Sequence, residues 1–511
     1  MCGIWALFGL DCQPMTCICE NFGKISHRGP ENGYLGFHRL AIVDELYGMQ
    51  PMRLNKYPHL FLLCNGEIYN HKKIAHQHRF DYTTKCDVEI IMHLYANNEA
   101  DSVAKSLDGV FAFCLMDVKN KRILIARDPY GVRPLFRLRS TDGQLVISSE
   151  SKLYRELSMV FECNVFFSAL VPNDVHRNIR KLFSAAMKKR LMAERRIGCL
   201  LSGGLDSSLV AALLVKQAKE ENFPYKIQSF SIGMGDSPDI IAARQVADYI
   251  GTEHHEIIFT EKDVVDILDD VIYQLETFDI TTIRASIGMY LISRYIKKNT
   301  ETTVIFSGEG ADELAQGYIY FRDAPNSVEA HNESLRLLKD IYLYDGLRAD
   351  RTTSAFSLEL RVPFLDLQFT HYYLSLDADG VEKHLLRSAF DEENLLPSNI
   401  LWRHKEAFSD GVASIKKSLF EIVQEIVQTR VSDTELEKAS ETYPHCTPKT
   451  KEALYYRALK AYQCIVSFLV HLWADMKDWN AEEINGTTVL RIGISRCRNI
   501  PYNTVSWVPF H

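Results

Sequence analysis

The chain has 511 residues, too long for a single hydrophobic core, and its length predicts about two to four domains. Its 46% hydrophobic and 24% charged residues are typical of a globular protein, and a net charge of −8 gives no electrostatic basis for binding nucleic acid or an anionic membrane. No basic segment precedes the apolar run 4–10, and no run reaches the roughly 20 apolar residues of a membrane span, so neither a secretory signal nor a spanning helix is predicted. The twelve cysteines include no CxxC pair and are expected to be reduced thiols, which favours a cytosolic protein.

The first candidate functional residue is Cys2, directly behind Met1. Removal of Met1, expected when residue 2 is small, would leave a thiol and a free α-amine on one residue. The α-amine titrates near pH 8 (about its reference pKa), so it can take the thiol proton and the residue carries its own base. The alternative is a small, buried apolar residue, and position 2 alone does not decide between the two.

The first 150 residues are predicted to be rich in β-structure. Short apolar or alternating runs lie between turn residues, a pattern that predicts strands, and they span 35–44, 60–65, 109–117, 122–128 and 145–150. The segment 117–122 joins two of them as a hairpin, and 87–97 has the apolar spacing of a helix. A sandwich of antiparallel sheets with few helices is therefore expected.

From about residue 176 helices and strands alternate, which predicts βαβ units and a doubly wound parallel sheet. Helices are predicted at 178–192, 206–221, 239–251 and 261–276, and strands at 196–201, 226–234, 254–260 and 302–308. Helices are expected to dominate from there to about residue 470.

The decapeptide CLLSGGLDSS (199–208) predicts an anion site. A buried strand ends, glycines free the backbone, and a helix begins near Asp206, so several N–H groups converge at a helix N-terminus. No lysine follows the glycines, which excludes a Walker A loop. The hydroxyls of Ser202, Ser207 and Ser208 add donors, and Asp206 could hold Mg²⁺. A plain helix N-cap is the alternative, but the full motif resembles the PP-loop of the ATP pyrophosphatases.

Motifs in both halves of the chain, taken in order, resemble those of the glutamine-dependent asparagine synthetase family, animal type, across most of the length. The matching segments are MCGIWALFG, HRGP, FHRLAIVD, NGEIYN, DGVFAF, RDPYGVRPLF, LLSGGLDSS, SIGMGDSPD, LETFDITTIRAS, FSGEGADEL, QGYIYF, LELRVPFLD and KEAFSDG. The resemblance implies an N-terminal α+β sandwich of the Ntn-hydrolase type, followed by an α/β doubly wound parallel sheet of the PP-loop type with many helices. The expected boundaries are 1–160 for a class II glutaminase domain, 161–175 for a shortened linker, 176–475 for the synthetase domain and 476–511 for a divergent tail.

In the N-terminal half, the resemblance implies a glutaminase in which Cys2 attacks the side-chain amide of glutamine. Arg39 would bind the α-carboxylate, Asp87 the α-amine, and Asn65 with Gly66 would form the oxyanion hole. The remaining residues implied at the glutamine site are Leu40, Ala41, Ile42, Val43 and Glu67. Taken singly, each of these has an ordinary alternative, such as a surface arginine or an Asn-Gly turn.

In the C-terminal half, the resemblance implies a site that adenylates aspartate. Glu309 would act in forming β-aspartyl-AMP and in receiving ammonia, Asp206 would bind Mg²⁺ and Lys405 would meet the phosphates. ATP and pyrophosphate would be held by Leu200, Ser202, Gly203, Gly204, Asp206, Ser207, Ile232, Ser307, Gly308 and Lys405. Asp312, Arg361 and Asp366 are the candidates for the aspartate pocket. Helix-end acids and a solvated lysine are the alternatives.

The implied reaction makes L-asparagine from L-aspartate, L-glutamine and ATP, with Mg²⁺. Adenylation gives β-aspartyl-AMP and pyrophosphate, and ammonia from the Cys2 site crosses an internal passage to displace AMP. The expected partners are these small molecules, without nucleic acid or membrane, and a homodimer is left open.

Three departures from the family pattern keep alternatives open. Glu31 follows HRGP where the family has aspartate, and the loop between Pro30 and Phe37 is short. The join after residue 150 is also short, and resemblance ends after about Tyr462. An ammonia-only synthetase and an inactive regulatory homologue are the alternatives. A β-lactam synthetase-like enzyme would not be expected to keep Cys2 with the NGE residues, and tRNA-thiolating pyrophosphatases lack the Cys-initiated domain.

Overall fold

A computed structural model of the chain describes residues 2–8, 31–32, 37–44, 48–97, 102–120, 122–139, 145–150, 174–235, 237–376, 383–404, 412 and 417–459. The HRGP motif, most of the expected linker, Lys405 and the expected tail lie outside these ranges. No helix among the described residues has both the length and the apolar character needed to cross a membrane.

The N-terminal half contains two antiparallel sheets. Their strands are β1 (Gly3–Phe8), β2 (Glu31–Asn32), β3 (Phe37–Arg39), β4 (Met52–Leu54), β5 (Tyr57–Ile68), β6 (Gly109–Asp117), β7 (Arg122–Arg127), β8 (Phe136–Arg139) and β9 (Leu145–Ser148). One sheet has the order β2-β3-β1-β9-β8 and the other the order β4-β5-β6-β7. The helices are α1 (His71–His78), α2 (Glu89–Ala96) and α3 (Val103–Ser106).

These elements form layers because β5 and β6 are apolar on both faces. Ile4 and Ile147 of the first sheet pack against Leu63 and Cys114 of the second, which makes the sandwich core. The opposite face of the second sheet buries its apolar residues under α1 and α2 in a separate core. The expected α+β sandwich is confirmed.

The C-terminal half is built on a parallel sheet of five strands in the order β12-β11-β10-β13-β14. They are β10 (Ile197–Leu200), β11 (Gln228–Gly233), β12 (Glu253–Ile258), β13 (Val304–Phe306) and β14 (Glu359–Arg361). The strand order reverses at β10, so the carboxyl end of β10 is the switch point where doubly wound sheets bind ligands. The expected doubly wound sheet is confirmed.

Helices surround this sheet and bury a continuous apolar core. They are α4 (Val175–Lys189), α5 (Leu205–Glu220), α6 (Pro238–Ile250), α7 (Glu261–Leu275), α8 (Ile280–Asn299), α9 (Ala311–Leu314), α10 (Ser327–Asp340), α11 (Asp345–Ser354), α12 (Leu367–Leu374), α13 (His384–Phe390), α14 (Ser398–Leu401), α15 (Leu419–Arg430), α16 (Asp433–Glu437), α17 (Ala439–Thr442) and α18 (451–459). Several begin at side-chain caps: the Thr260 hydroxyl accepts the Asp263 N–H while the Asp263 carboxylate accepts the Thr260 N–H, a capping box at the start of α7.

The two halves are in direct contact. The Tyr130 hydroxyl lies 2.6 Å from the Thr370 hydroxyl, and Lys189 Nζ is paired with Asp108 at 2.7 Å and with Asp366 at 2.6 Å. Arg195 Nε donates to the Ala41 carbonyl at 2.9 Å. This interface therefore joins the N-terminal sandwich to residues that flank the parallel sheet.

Two sequence-based expectations are corrected. Of the strand expected over 35–44, the described residues 37–44 contain only β3, because the Leu40 N–H donates to Cys2 Sγ and residues 40–44 are not paired in the sheet. The short strand β14 was not predicted: three buried residues carry no periodicity, and only pairing with β13 makes them a strand.

Candidate active sites

A small cavity of about 40 Å³ lies at the start of β1 and is lined by Cys2. The Leu40 N–H donates to Cys2 Sγ at 3.2 Å, and the thiol lies 3.5 Å from the Leu40 carbonyl. Burial raises the pKa of the Cys2 thiol, so this cysteine needs a nearby base to become a thiolate.

All the residues expected at the glutamine site line this cavity: Cys2, Arg39, Leu40, Ala41, Ile42, Val43, Asn65, Gly66, Glu67 and Asp87. The Asn65 Nδ2 group is buried and has no hydrogen-bond acceptor among the described residues, so it is a donor available to a ligand. Gly66 has φ +145°, and a Cβ there would come within 2.1 Å of the Val110 carbonyl oxygen. Only glycine therefore fits where β5 passes β6 beside the cavity.

Two charged side chains of opposite sign, Arg39 and Asp87, line the cavity and are buried. The Arg39 guanidinium donates to the Asp44 carbonyl, and Asp87 Oδ2 accepts the Ile68 N–H at 2.6 Å. Burial raises the pKa of Asp87 to about 6. A small molecule with a carboxylate and an ammonium group matches this pair.

The inner wall of the Cys2 cavity includes Glu359, which belongs to the parallel sheet. Arg133 Nη2 is paired with Glu67 at 2.8 Å, and Arg361 Nη2 with Glu359 at 2.7 Å. Burial and the neighbouring Glu359 raise the pKa of Glu67. For Glu359 burial is outweighed by Arg361, the Glu67 hydrogen bond and Arg133, so its pKa falls. At the boundary between the two halves, the environment therefore favours the ionised form of Glu359 more than that of Glu67.

A larger cavity of about 170 Å³ opens at the carboxyl end of β10. The loop after β10 is fixed by its own hydroxyls: Ser202 Oγ lies 3.0 Å from Ser207 Oγ, and the Ser202 N–H donates to Ser207 Oγ at 3.1 Å. Gly203 has φ +74° and packs on α6, where a Cβ would lie 2.4 Å from the Ala242 Cβ. The loop therefore has the glycine-dependent shape expected of a phosphate site.

Most residues expected at the ATP site line this second cavity: Leu200, Ser202, Gly204, Asp206, Ser207, Ile232, Ser307 and Gly308. The expected catalytic residue Glu309 and the aspartate-pocket candidate Asp312 line it as well. Gly203 shapes the loop without lining the cavity. Sequence reasoning missed further lining residues: Glu313, Tyr318, Asp345, Arg348, Lys383, Arg387, Arg403 and His404.

Lys383 is the centre of a buried charge cluster at this cavity. Its ammonium group contacts Asp206 Oδ2 and lies 2.6 Å from Asp312 Oδ1. Asp206 Oδ1 is buried with no donor among the described residues. Carboxylate oxygens are ligands that Mg²⁺ prefers, so Asp206 and Asp312 fit this ion. The described residues contain no group of three or more His, Cys, Asp or Glu side chains able to hold a metal. Phosphate oxygens and water would therefore complete the coordination.

The far end of the cavity is acidic, with one arginine. Arg348 Nη2 is paired with Glu309 Oε2 at 2.8 Å and Asp345 Oδ1 at 2.7 Å. The Tyr318 hydroxyl donates to Glu313 at 2.7 Å. Burial raises the pKa of Glu309 to about 6, against the opposing effect of Arg348. Burial and the Asp345 carboxylate raise the pKa of Glu313 well above its ordinary value.

Arg361 and Asp366 are not brought to this cavity. Arg361 is paired with Glu359 and donates to the Arg190 carbonyl between the two halves. Asp366 accepts the N–H groups of Gln368 and Phe369 as the cap of α12 and is paired with Arg190 at 2.7 Å. Among the three aspartate-pocket candidates, only Asp312 lines the cavity.

Comparisons with known proteins cover both halves of the chain. A family profile described as asparagine synthase matches residues 178–334 and 322–461, and one described as a glutamine amidotransferase domain matches residues 1–196. Asparagine synthetase [glutamine-hydrolyzing] of Bos taurus is 49% identical over 556 aligned positions, covering 96% of this chain and 98% of the relative. The same-named protein of Gallus gallus is 50% identical, with 93% and 96% covered.

The aligned length with the bovine relative exceeds the 511 residues of this chain, so that relative carries residues that this chain lacks. Among solved structures, an NMN synthetase from Francisella tularensis is 13% identical and covers 58% of this chain and 96% of its own, with a TM-score of 0.26.

Proposed function

The chain belongs to the family of glutamine-hydrolysing asparagine synthetases and is a carbon–nitrogen ligase, and on this premise we propose how its two cavities divide the reaction. The Cys2 cavity hydrolyses glutamine, and the cavity at β10 uses ATP to activate aspartate. The observation that carries the proposal is the grouping of the expected residues into these two cavities. Glu359 of β14 lines the first cavity, and β14 pairs with β13, which is followed by residues of the second.

In the first cavity, the Cys2 thiolate attacks the amide carbon of glutamine. The Asn65 Nδ2 group, buried without another acceptor among the described residues, donates to the oxyanion of the tetrahedral intermediate. Collapse releases ammonia and leaves a thioester, which water hydrolyses to glutamate. Arg39 and Asp87 hold the α-carboxylate and the α-ammonium of glutamine.

Met1 is removed in the active protein, so that the Cys2 α-amine can serve as the base. Intact mass spectrometry tests this, and a retained Met1 in active protein contradicts it.

In the second cavity, an oxygen of the aspartate β-carboxylate attacks the α-phosphorus of ATP and pyrophosphate leaves. The product is β-aspartyl-AMP. The loop after β10 holds the phosphates with N–H and hydroxyl donors. When bound by Asp206 and Asp312, Mg²⁺ supplies positive charge that offsets the charge of the phosphates. Lys405, which lies outside the described residues, is proposed to contact the same phosphates.

The acidic end of the second cavity orients aspartate. The α-ammonium group of aspartate is attracted by the Asp345 carboxylate. Glu309 takes the proton that ammonia loses as its nitrogen attacks the β-carbonyl carbon and AMP leaves. An unprotonated ammonia molecule is needed for this step, so its transfer along an internal passage near Glu359 and Arg361 avoids protonation in water. We also propose a cytosolic protein and, as the simplest assembly, a homodimer.

The test measures asparagine, AMP and pyrophosphate formed from aspartate and Mg-ATP, with glutamine or ammonium as the nitrogen donor. Wild-type protein is expected to use both donors, and Cys2→Ala to use ammonium alone. Activity of the wild type with ammonium alone would show that the glutaminase activity has been lost, as the short N-terminal loop allows. An absence of turnover with either donor would contradict the proposal and favour a regulatory homologue.

A further inference from the structure

Glu89, the first residue of α2, is fully buried and lies outside the Cys2 cavity. Four hydrogen-bonding groups surround its carboxylate. Oε1 accepts the Thr83 N–H at 2.7 Å and lies 3.0 Å from His93 Nε2. Oε2 accepts the Thr84 N–H at 2.7 Å and the Thr84 hydroxyl at 2.6 Å. A buried carboxylate with this many donors has a single orientation, and here it fixes the turn at residues 83–84.

This turn leads directly to one end of the glutamine site. The Thr84 hydroxyl oxygen accepts the Cys86 N–H at 3.1 Å, so the turn sets the position of Cys86. The next residue, Asp87, lines the cavity and accepts the Ile68 N–H of β5. Glu89 therefore influences the position of Asp87 through the Thr84 hydroxyl, which bonds with both the Glu89 carboxylate and the Cys86 N–H.

The same segment is joined to the other end of the site. The Lys85 N–H donates to Asp44 Oδ2 at 2.9 Å, and the Asp44 carbonyl accepts from the Arg39 guanidinium. Arg39 and Asp87, the two groups that match the α-carboxylate and the α-ammonium, are thus held by one hydrogen-bonded segment, residues 83–87.

Glu89 itself is held from the opposite side by His93, which is also fully buried. The His93 ring stacks on Phe80 with a centroid distance of 5.1 Å and meets Tyr57 edge-on at 5.5 Å. Its Nδ1 lies 3.3 Å from the Tyr57 hydroxyl. These aromatic contacts leave the imidazole no freedom to turn away from the carboxylate.

We propose that Glu89 is a positioning residue of the glutamine site, which sets the separation of Asp87 and Arg39 through the hydrogen-bonded segment 83–87. This inference rests on the proposed glutaminase function and extends it to residues that do not touch the substrate. It predicts that loss of the Glu89 carboxylate weakens the binding of glutamine without changing the chemistry at Cys2.

The test measures glutamine hydrolysis by the full chain in Glu89→Gln, Thr84→Val and Thr84→Ser, with ammonium-dependent asparagine synthesis measured in each. Glu89→Gln replaces one carboxylate oxygen with an amide N–H₂ group, which cannot accept a hydrogen bond from residues 83–84. Thr84→Val removes the hydroxyl that links Glu89 to Cys86. Both are expected to raise the KM for glutamine about tenfold with kcat within about twofold, because uniform binding is lost. Thr84→Ser keeps the hydroxyl and is expected to keep the KM within about twofold, and synthesis from ammonium is expected to be unchanged.

A purely structural role has a different signature. If the substitutions only unfolded part of the sandwich, kcat would fall in proportion to the folded fraction while KM stayed constant, and that result overturns the inference. An unchanged KM in both Glu89→Gln and Thr84→Val, with active wild type, also overturns it and leaves the glutaminase function standing. A wild type that hydrolyses no glutamine overturns both.

Discussion

At the ATP cavity, the Glu309 carboxyl is buried beside one arginine and two other carboxylates. Burial raises its pKa to about 6, Arg348 at 2.8 Å lowers it, and Asp345 and Asp312 raise it. Since the proposed role requires an ionised Glu309, activity should rise with pH through the pKa of this carboxyl and then level off. Arg348 therefore sets the lower pH limit of the synthetase reaction.

Arg348→Gln is expected to move that limit upward, because the substitution removes the positive charge that favours ionisation. In asparagine synthesis at a fixed concentration of unprotonated ammonia, the wild type should show an inflection near pH 6 (about the pKa of Glu309). The variant should show it at least about one pH unit higher. Arg336→Gln is the control, since it removes a surface arginine paired with Glu333, and its profile should match the wild type. An unchanged inflection in Arg348→Gln would show that Glu309 does not limit the rate.

The sequence predicted the residues of the ATP cavity that lie at strand ends or within motifs. It did not predict those that distant segments of the chain bring to the cavity. Glu309 and Asp312 follow a strand that the pattern identifies. Lys383 pairs with Asp206 across 177 positions of the chain, and Arg348 with Glu309 across 39. No spacing rule connects such partners. Glu313 and Tyr318 fall inside matched motifs, so this signal was present without being used.

At the scale of elements, the loop after β10 depends on one glycine. Gly203 has a left-handed φ of +74° and no room for a Cβ, since Ala242 Cβ would be 2.4 Å away and the Ala243 nitrogen 2.5 Å away. Gly251, which ends α6, has a similar φ of +80°, but nothing lies within 4 Å of its Cβ position. The two glycines separate backbone strain from steric overlap.

Gly203→Ala is therefore expected to destabilise the protein by about 2–4 kcal/mol, the sum of left-handed strain and overpacking. It should lower ATP–pyrophosphate exchange about 100-fold, because the loop donors move away from the phosphates. Gly251→Ala should cost about 1 kcal/mol and leave exchange near the wild-type rate. Thermal unfolding and exchange assays check both, and equal losses in the two variants would contradict a role for the close contact with α6.

Predictions of elements succeeded where periodicity extended over several residues. The long strands β5 and β6 and the helices α5 to α7 match the sequence pattern. The pattern failed after β3, where the described residues 40–44 of the apolar run are not paired in the sheet and the Leu40 N–H donates to Cys2 Sγ. It also failed at β14, where tertiary pairing alone makes the strand.

At the scale of the whole molecule, Arg351 of α11 links the two halves. It is 1% exposed, its Nη1 donates to the Ser149 carbonyl at 3.1 Å, and its Nη2 is paired with Glu276 at 2.7 Å. Glu150 and Asp350 lie within 3.9 and 3.1 Å of the same guanidinium. Removal of its charge would leave buried carboxylates without this cation at the interface.

Arg351→Met is expected to destabilise the protein by about 3–5 kcal/mol, because breaking a buried ion pair leaves an uncompensated charge. Calorimetry should show the unfolding temperature lowered by about 6 °C or more. Arg244→Met, which breaks an exposed pair with Glu256, should leave the unfolding temperature close to that of the wild type. Similar shifts in the two variants would contradict a special role of Arg351 in joining the halves.

The sequence predicted two catalytic halves but not their docking. The contacts at the interface join residues far apart in the chain, such as Tyr130 and Thr370, separated by 240 positions. Glu359 was noted only as part of a motif, and its place in the wall of the Cys2 cavity follows from the way β14 meets the sandwich. The pairing of partners across this interface is a property of the folded chain as a whole.

The most direct test of the account is the source of the amide nitrogen in asparagine. The wild type is given aspartate, Mg-ATP, glutamine labelled with ¹⁵N in its amide and an excess of unlabelled ammonium, and the asparagine is analysed by mass spectrometry. If the two cavities act as one enzyme with an internal passage, the ¹⁵N content of asparagine will far exceed that of the ammonia in solution. A ¹⁵N content equal to that of the bulk ammonia would contradict the account, because ammonia from Cys2 would then leave the protein before it reached aspartate.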